Sequence, residues 1–204
     1  MSESVKEKII RVATAFFAEK GYEATSVREL ANEADVNVAS VNYYFGSKQG
    51  LFEYLVKDFA DRKFSIVVSI LESATTEDEF RLRLTMFMKQ FLALALDEKD
   101  SFRMVNRNIE FFSQLNPEKF EETFINTHQR FLDFITSAQQ AGVIRPGLDT
   151  EMVAQILFGG LIDLVKGNEM RKCFRGLNIE DTNFFESYIS TVIEVFMNGM
   201  GVQN

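Results

Sequence analysis

The chain has 204 residues, a formal net charge of −8, and is 46% hydrophobic and 25% charged. This balance is that of an ordinary soluble globular protein with enough length to bury a core, and it excludes both a disordered chain and a general basic coat for nucleic acid. The single cysteine, Cys173, excludes an intrachain disulfide and a cysteine-based zinc site, while the single histidine, His128, excludes the paired Glu-x-x-His half-sites of a di-iron bundle.

Proline occurs only at Pro117 and Pro146, and no stretch sustains period-two alternation, so the expected fold class is all-α with about nine helices. The opening segment carries Val5, Ile9, Val12, Ala13, Phe16 and Phe17 at helical spacing, and Gly21 stands where a C-terminal glycine closes a helix. It is charged and amphipathic and lacks the apolar block of a signal peptide, so a cytoplasmic location is expected. Ser26 and Glu29 make a capping box for a second helix whose inner side is Val27, Leu30 and Ala31. Asp35, Val36 and Asn37 read as a tight turn, followed by a short helix from Val38 to about Phe45. Gly46 ends that helix, and Ser47 caps a long one running to about Ser73. Two short helices joined by a tight turn form the helix-turn-helix pattern.

Thr76 with Glu79 opens an apolar helix through Leu82, Met86, Phe87, Phe91 and Leu94, and 101–115 reads as another. Asn116 and Pro117 supply the cap and first turn of a helix reaching Ile135, and 141–149 is a loop. Two helices, about 150–169 and 181–198, close the chain with a polar connector between them. The stretch from Met152 to Val165 is interrupted by Gln155 and Asp163 and is too short to span a bilayer, so no membrane partner is expected. There is no P-loop, no nucleophile elbow and no strand-preceded Gly-x-Gly-x-x-Gly, so the reading is not an enzyme and calls for no cofactor and no metal.

The run from Lys8 to Phe52 resembles the DNA-binding domain of TetR-family transcriptional regulators. Ala13, Phe16-Phe17, Gly21-Tyr22, Thr25-Ser26-Val27, Leu30-Ala31, Val36, Tyr44-Phe45, Lys48 and Leu51-Phe52 carry the resemblance. It departs from the family at Asp35, where a glycine is usual, and at Asn42-Tyr43, where Tyr-His is commoner. The wording of residues 36–48 also looks like a branch that includes fatty-acid-responsive regulators. The resemblance implies a DNA-binding domain over 1–50, extending into the helix from 47, and a helical ligand-sensing and dimerisation domain over 51–204. It also implies a homodimeric repressor on a palindromic double-stranded DNA operator, released by a small hydrophobic effector such as an organic or fatty acid.

A helix that enters the major groove needs small side chains where it presses in, and Val38, Ala39 and Ser40 meet that need. Asn37 and Asn42 offer amides to a base edge or phosphate, while Tyr43 and Tyr44 offer hydroxyls to phosphates. Lys48, Thr25, Ser26 and Arg28 complete the expected DNA-binding set from the flanking helices. Residues 1–50 hold six Lys/Arg against seven Asp/Glu, so binding rests on a local patch: 36–50 contains Lys48 and no acid. The competing reading is a helical protein that keeps this fold but binds a protein partner instead of DNA.

Further along, Phe87, Phe91, Met104, Phe111, Phe131 and Phe158 are candidates for an apolar effector cavity, with Arg103, Arg107 and His128 as its polar groups. The same stripes also read as plain core, and His128 as a structural residue. The resemblance implies a dimer interface of four helices, two from each subunit, drawn from Leu157, Gly159, Gly160, Leu161, Phe185, Tyr188, Ile189, Val192 and Phe196.

Overall fold

A computed structural model describes residues 3–200, with the backbone alone for Lys63, Asn126 and Met200. Ten helical rods and no strand occur among the described residues. They are α1 (Val5–Glu19), α2 (Val27–Glu33), α3 (Val38–Phe45), α4, α5 (Glu77–Asp97), α6 (Lys99–Leu115), α7, α8 (Thr150–Lys166), α9 (Asn168–Arg175) and α10 (Thr182–Met200). α4 begins as Lys48–Phe59, widens into a π turn over Ala60–Phe64 and ends as Ser65–Val68. α7 likewise begins as Pro117–Phe120, passes through a π turn at Glu121–Ile125 and continues as Asn126–Gln140. No described helix is long and apolar enough to cross a membrane.

The chain forms two compact units, one running to Lys63 and including Glu98–Phe124, the other made of Phe64–Asp97 and the residues from Ile125 onward. In the first, α1 presents Ile9, Val12, Ala13 and Phe17 as one buried stripe, and it packs against α6 as well as α2 and α4. Phe52 of α4 sits at the centre, its ring edge-on to Phe17 at 5.4 Å and to Phe112 at 6.0 Å. In the second unit, α5 buries Phe80, Leu84, Phe87, Met88 and Phe91, with α8 and α10 packed against it. There Phe80 lies flat on Phe134 of α7, with centroids 4.8 Å apart and planes 3° apart.

The capping box expected at Ser26 and Glu29 is present, and Ser4 with Glu7 forms a second that the sequence reading did not name. Before α5 the box is split: Thr76 Oγ1 accepts from the Glu79 N–H at 3.2 Å, and the Thr75 N–H donates to the Glu79 carboxylate at 2.9 Å. Backbone and hydroxyl donors from Ser4, Ser26 and Thr75 hold Glu7, Glu29 and Glu79 below the usual carboxylate range. A depressed folded pKa adds stability above the unfolded value, and this is lost as pH falls through the depressed one. The urea midpoint is therefore expected to drop on acidification below the ordinary carboxylate range, and Ser26→Ala, which removes the partner of Glu29, should make that drop shallower.

The polar connector expected between the last two helices folds as α9. Asn168, buried at its start, donates to Asn178 Oδ1 at 3.1 Å and accepts from the Ile179 N–H at 3.0 Å, tying both ends of the segment together. Gly176, at φ +63°, then closes the helix. α9 carries Cys173 on its exposed side.

Candidate nucleic-acid interface

α2 and α3 are joined by a turn whose geometry follows from one residue. Asp35 adopts φ +52°, the only left-handed backbone outside glycine among the described residues. The Val36 N–H donates to Ala31 O at 3.0 Å and the Asp35 N–H to Asn32 O at 3.2 Å, the paired bonds of a Schellman closure. Asp tolerates this conformation better than most residues, so the turn survives without the glycine usual in the family. Asp35→Gly is expected to raise stability by about 1 kcal/mol through relief of the left-handed strain, and to tighten duplex binding by removing a negative charge; thermal melting and a duplex titration check the two effects separately.

α3 starts at Asn37, whose Oδ1 accepts from the Ala39 N–H at 2.8 Å, and ends at Gly46, φ +76°. Only Val41 is buried along the helix, so α3 touches its domain by one stripe and leaves the rest outward. Outward stand Ala39, Asn42, Tyr43 and Tyr44, with Tyr43 83% and Tyr44 43% exposed. Their rings meet edge to face at 5.1 Å, which steadies both at the end of the helix. Val38 and Ser40 are half-buried. Phe45 turns back to Tyr54 of α4, centroids 5.3 Å apart. α3 and α4 approach so closely that a Cβ at Gly50 would lie 2.2 Å from the Phe45 carbonyl oxygen. Gly50 is thus a fixed requirement of the motif that the sequence reading missed; its signal was a glycine within the first turn of a helix, where propensity disfavours it.

The flanking set divides. Arg28 is exposed, and Ser26 is exposed but bonded to Glu29. Thr25 is buried, its hydroxyl donating to Gly21 O at 2.8 Å. Lys48 bends inward, its ammonium donating to Tyr22 O at 2.9 Å and Thr25 O at 2.8 Å. Both side chains are held by the domain's own backbone, which spacing along the sequence does not reveal.

The residues expected to line an effector cavity are drawn from both units. Arg103, Met104, Arg107 and Phe111 lie on α6 in the first unit, where Met104 is buried, Phe111 stacks on Tyr22 and both arginines are exposed. The apolar face of α6 packs on α1 within the first unit. Phe87, Phe91, Phe131 and Phe158 do meet in the second unit, with Phe91–Phe158 at 5.6 Å, Phe87–Phe131 at 5.3 Å and Phe131–Phe158 at 6.2 Å. His128 Nε2 lies 2.9 Å from the Glu151 carboxylate at the surface of that unit.

Of the expected dimer residues, Leu157, Leu161 and Ile189 are buried in their own chain. Gly159, Gly160, Phe185, Tyr188, Val192 and Phe196 are half-buried, and the Tyr188 hydroxyl donates to Gly160 O at 3.2 Å, bringing α10 alongside α8. Among the described side chains of these helices, the large apolar ones left exposed are Met152, Ile156 and Val195, which the sequence reading passed over.

A three-helix head with a tight α2–α3 turn and an acid-free, outward α3 defines a helix-turn-helix DNA-binding protein. Residues 9–55 match the profile of bacterial regulatory proteins of the tetR family. A probable HTH-type transcriptional regulator, YttP of Bacillus subtilis, is 35% identical over 118 residues, covering 56% of this chain and 55% of that protein's length. The HTH-type transcriptional repressor KstR2 of Mycolicibacterium smegmatis is 29% identical over 158 residues, covering 76% of this chain and 74% of the other. The fold also matches a solved structure of the ketosteroid transcriptional regulator KstR2 of Mycobacterium tuberculosis, with TM-score 0.74 at 18% identity over 100% of this chain and 98% of that one. These matches support a DNA-binding transcriptional regulator whose residues 9–55 carry a tetR-type DNA-binding domain.

Proposed function

We propose that the protein is a repressor that binds a palindromic operator as a homodimer, one α3 per half-site, and leaves it when a small hydrophobic effector binds. The outward face of α3 carries this reading: small residues allow close approach, and Asn42, Tyr43 and Tyr44 stand free of the core. Arg28 and Asn37 flank them. With so few basic groups, phosphate contacts alone would bind weakly, and two half-sites supply the remaining affinity. Half-site centres roughly one helical turn apart, about 34–36 Å, or somewhat wider are expected. Selection of duplexes from a random pool tests this directly. A recovered palindrome with saturable binding supports it, while no saturable, sequence-dependent binding at low salt removes it in favour of a protein partner.

The homodimer forms through α8 and α10, whose exposed Met152, Ile156 and Val195 add to half-buried Phe185, Val192 and Phe196. Ile156→Glu is expected to shift the dimer towards monomer at micromolar concentration by light scattering; an unchanged dimer mass counts against this surface. The effector site is placed among Phe87, Phe91, Phe131 and Phe158, where an apolar molecule would replace ring contacts within the second unit. KstR2 of Mycobacterium tuberculosis, whose fold this chain shares, is a ketosteroid transcriptional regulator, which supports a hydrophobic effector here. By population shift, the effector favours a dimer whose two α3 helices no longer fit the operator.

A further inference from the structure

Three side chains from two distant parts of the first unit converge on Tyr22, in the turn between α1 and α2. Asn108 of α6 accepts from the Tyr22 N–H at 2.9 Å and donates to Phe17 O at 3.2 Å and Met104 O at 2.7 Å. It is 5% exposed, so its amide is used up inside the domain. Phe111 stacks on the Tyr22 ring with centroids 4.6 Å apart and planes 27° apart.

From another side, Lys48 donates to Tyr22 O at 2.9 Å and Thr25 O at 2.8 Å, and its ammonium stands 4.2 Å from the centre of the same ring. Two of its three protons are therefore committed to backbone carbonyls and its charge to an aromatic face. Burial pushes the Lys48 pKa down, with the Glu23 charge opposing. A phosphate would find only the one remaining proton of this ammonium, unless it drew the group away from both carbonyls. Lys48 is also the first residue of α4, separated from α3 by Gly46 and Ser47 alone, so fixing Lys48 fixes the end of α3.

We propose that Asn108, Tyr22 and Lys48 form a bridge by which α6 sets the orientation of α3, making Asn108 and Lys48 positioning residues for DNA reading and not DNA contacts. This rests on the reading of α3 as the DNA-reading helix. A shift of α6 is passed to the α1–α2 turn by the Asn108 bonds and the Phe111 stack, and then to α3 by the ammonium.

The test uses the full chain and the duplex recovered from the random pool, titrated over a range of salt. Lys48→Met is expected to weaken binding about tenfold with the slope of log K against log salt unchanged. Were Lys48 bound to a phosphate, its removal would instead lower that slope by about 0.9, and that result overturns the proposal. Lys48→Arg keeps the charge but cannot seat one ammonium between the two carbonyls; it should bind as poorly as Lys48→Met, and full rescue by arginine also overturns the proposal.

Asn108→Ala should weaken binding as well, and the double variant should lose less than the product of the single losses because both act through Tyr22. Losses that multiply to within about a factor of two mean independent action and overturn the bridge. Should Asn108→Ala lose its cooperative melting transition, the two Lys48 variants decide alone. Wild-type protein that recovers no duplex from the pool removes the DNA reading itself, and the bridge with it, before any variant is compared.

Discussion

Ala39→Glu is expected to lower duplex affinity by about 100-fold or more, close to 3 kcal/mol, while the protein melts no lower than wild type. Ala39 is exposed and lies in the first turn of α3, where its own N–H is already taken by the Asn37 side chain. A carboxylate in a first helical turn interacts favourably with the helix dipole, so folding is spared. On duplex DNA the same group would meet phosphates with like charge and fill the space through which backbone approaches the base edges. Fluorescence anisotropy with a labelled duplex, beside a melting curve, reads both effects. Affinity within threefold of wild type would place DNA reading elsewhere in the protein.

Phe52→Ala is expected to cost about 3–5 kcal/mol of folding stability, the range for emptying a buried phenylalanine site. Phe52 is fully buried, and its ring also meets Tyr22 at 5.0 Å and Phe111 at 6.2 Å besides Phe17 and Phe112. The cavity would open among α1, α4 and α6 together, so no single neighbour can close it. Such a loss is a large share of the roughly 5–15 kcal/mol that holds a domain folded. Urea unfolding measures it, and a loss below 1.5 kcal/mol, ordinary for a tolerated core swap, would mean that the rings repack around the gap.

The local plan was legible in the residues. Ser26 and Glu29, Gly46 and Ser47 announced where helices begin and end, because a cap acts on backbone groups within a few positions of itself. Asp35 was legible as a left-handed turn residue for the same reason. Tyr43 could be read as outward because Val41 and Phe45 on the same short helix claim the inner side.

The site beyond α3 was less legible. Lys48 reads as a phosphate contact from its place in a first helical turn, yet the carbonyls it bonds lie 26 and 23 residues away. The effector set follows from spacing along α5, α6, α7 and α8, and spacing cannot tell which apolar face turns to which neighbour. The two π turns likewise sit inside stretches with ordinary helical periodicity, and nothing in that periodicity announces them.

By itself, then, the sequence determined the all-α class, the helix-turn-helix and the outward face of α3, since caps, turns and periodicity are set by neighbours along the chain. Only the tertiary structure decided that α6 packs with the helix-turn-helix head and that Asn108 bonds to backbone 86 and 91 residues away. A buried amide must find partners, but its residue type does not say where they lie; that depends on which helix faces are brought together when the core closes.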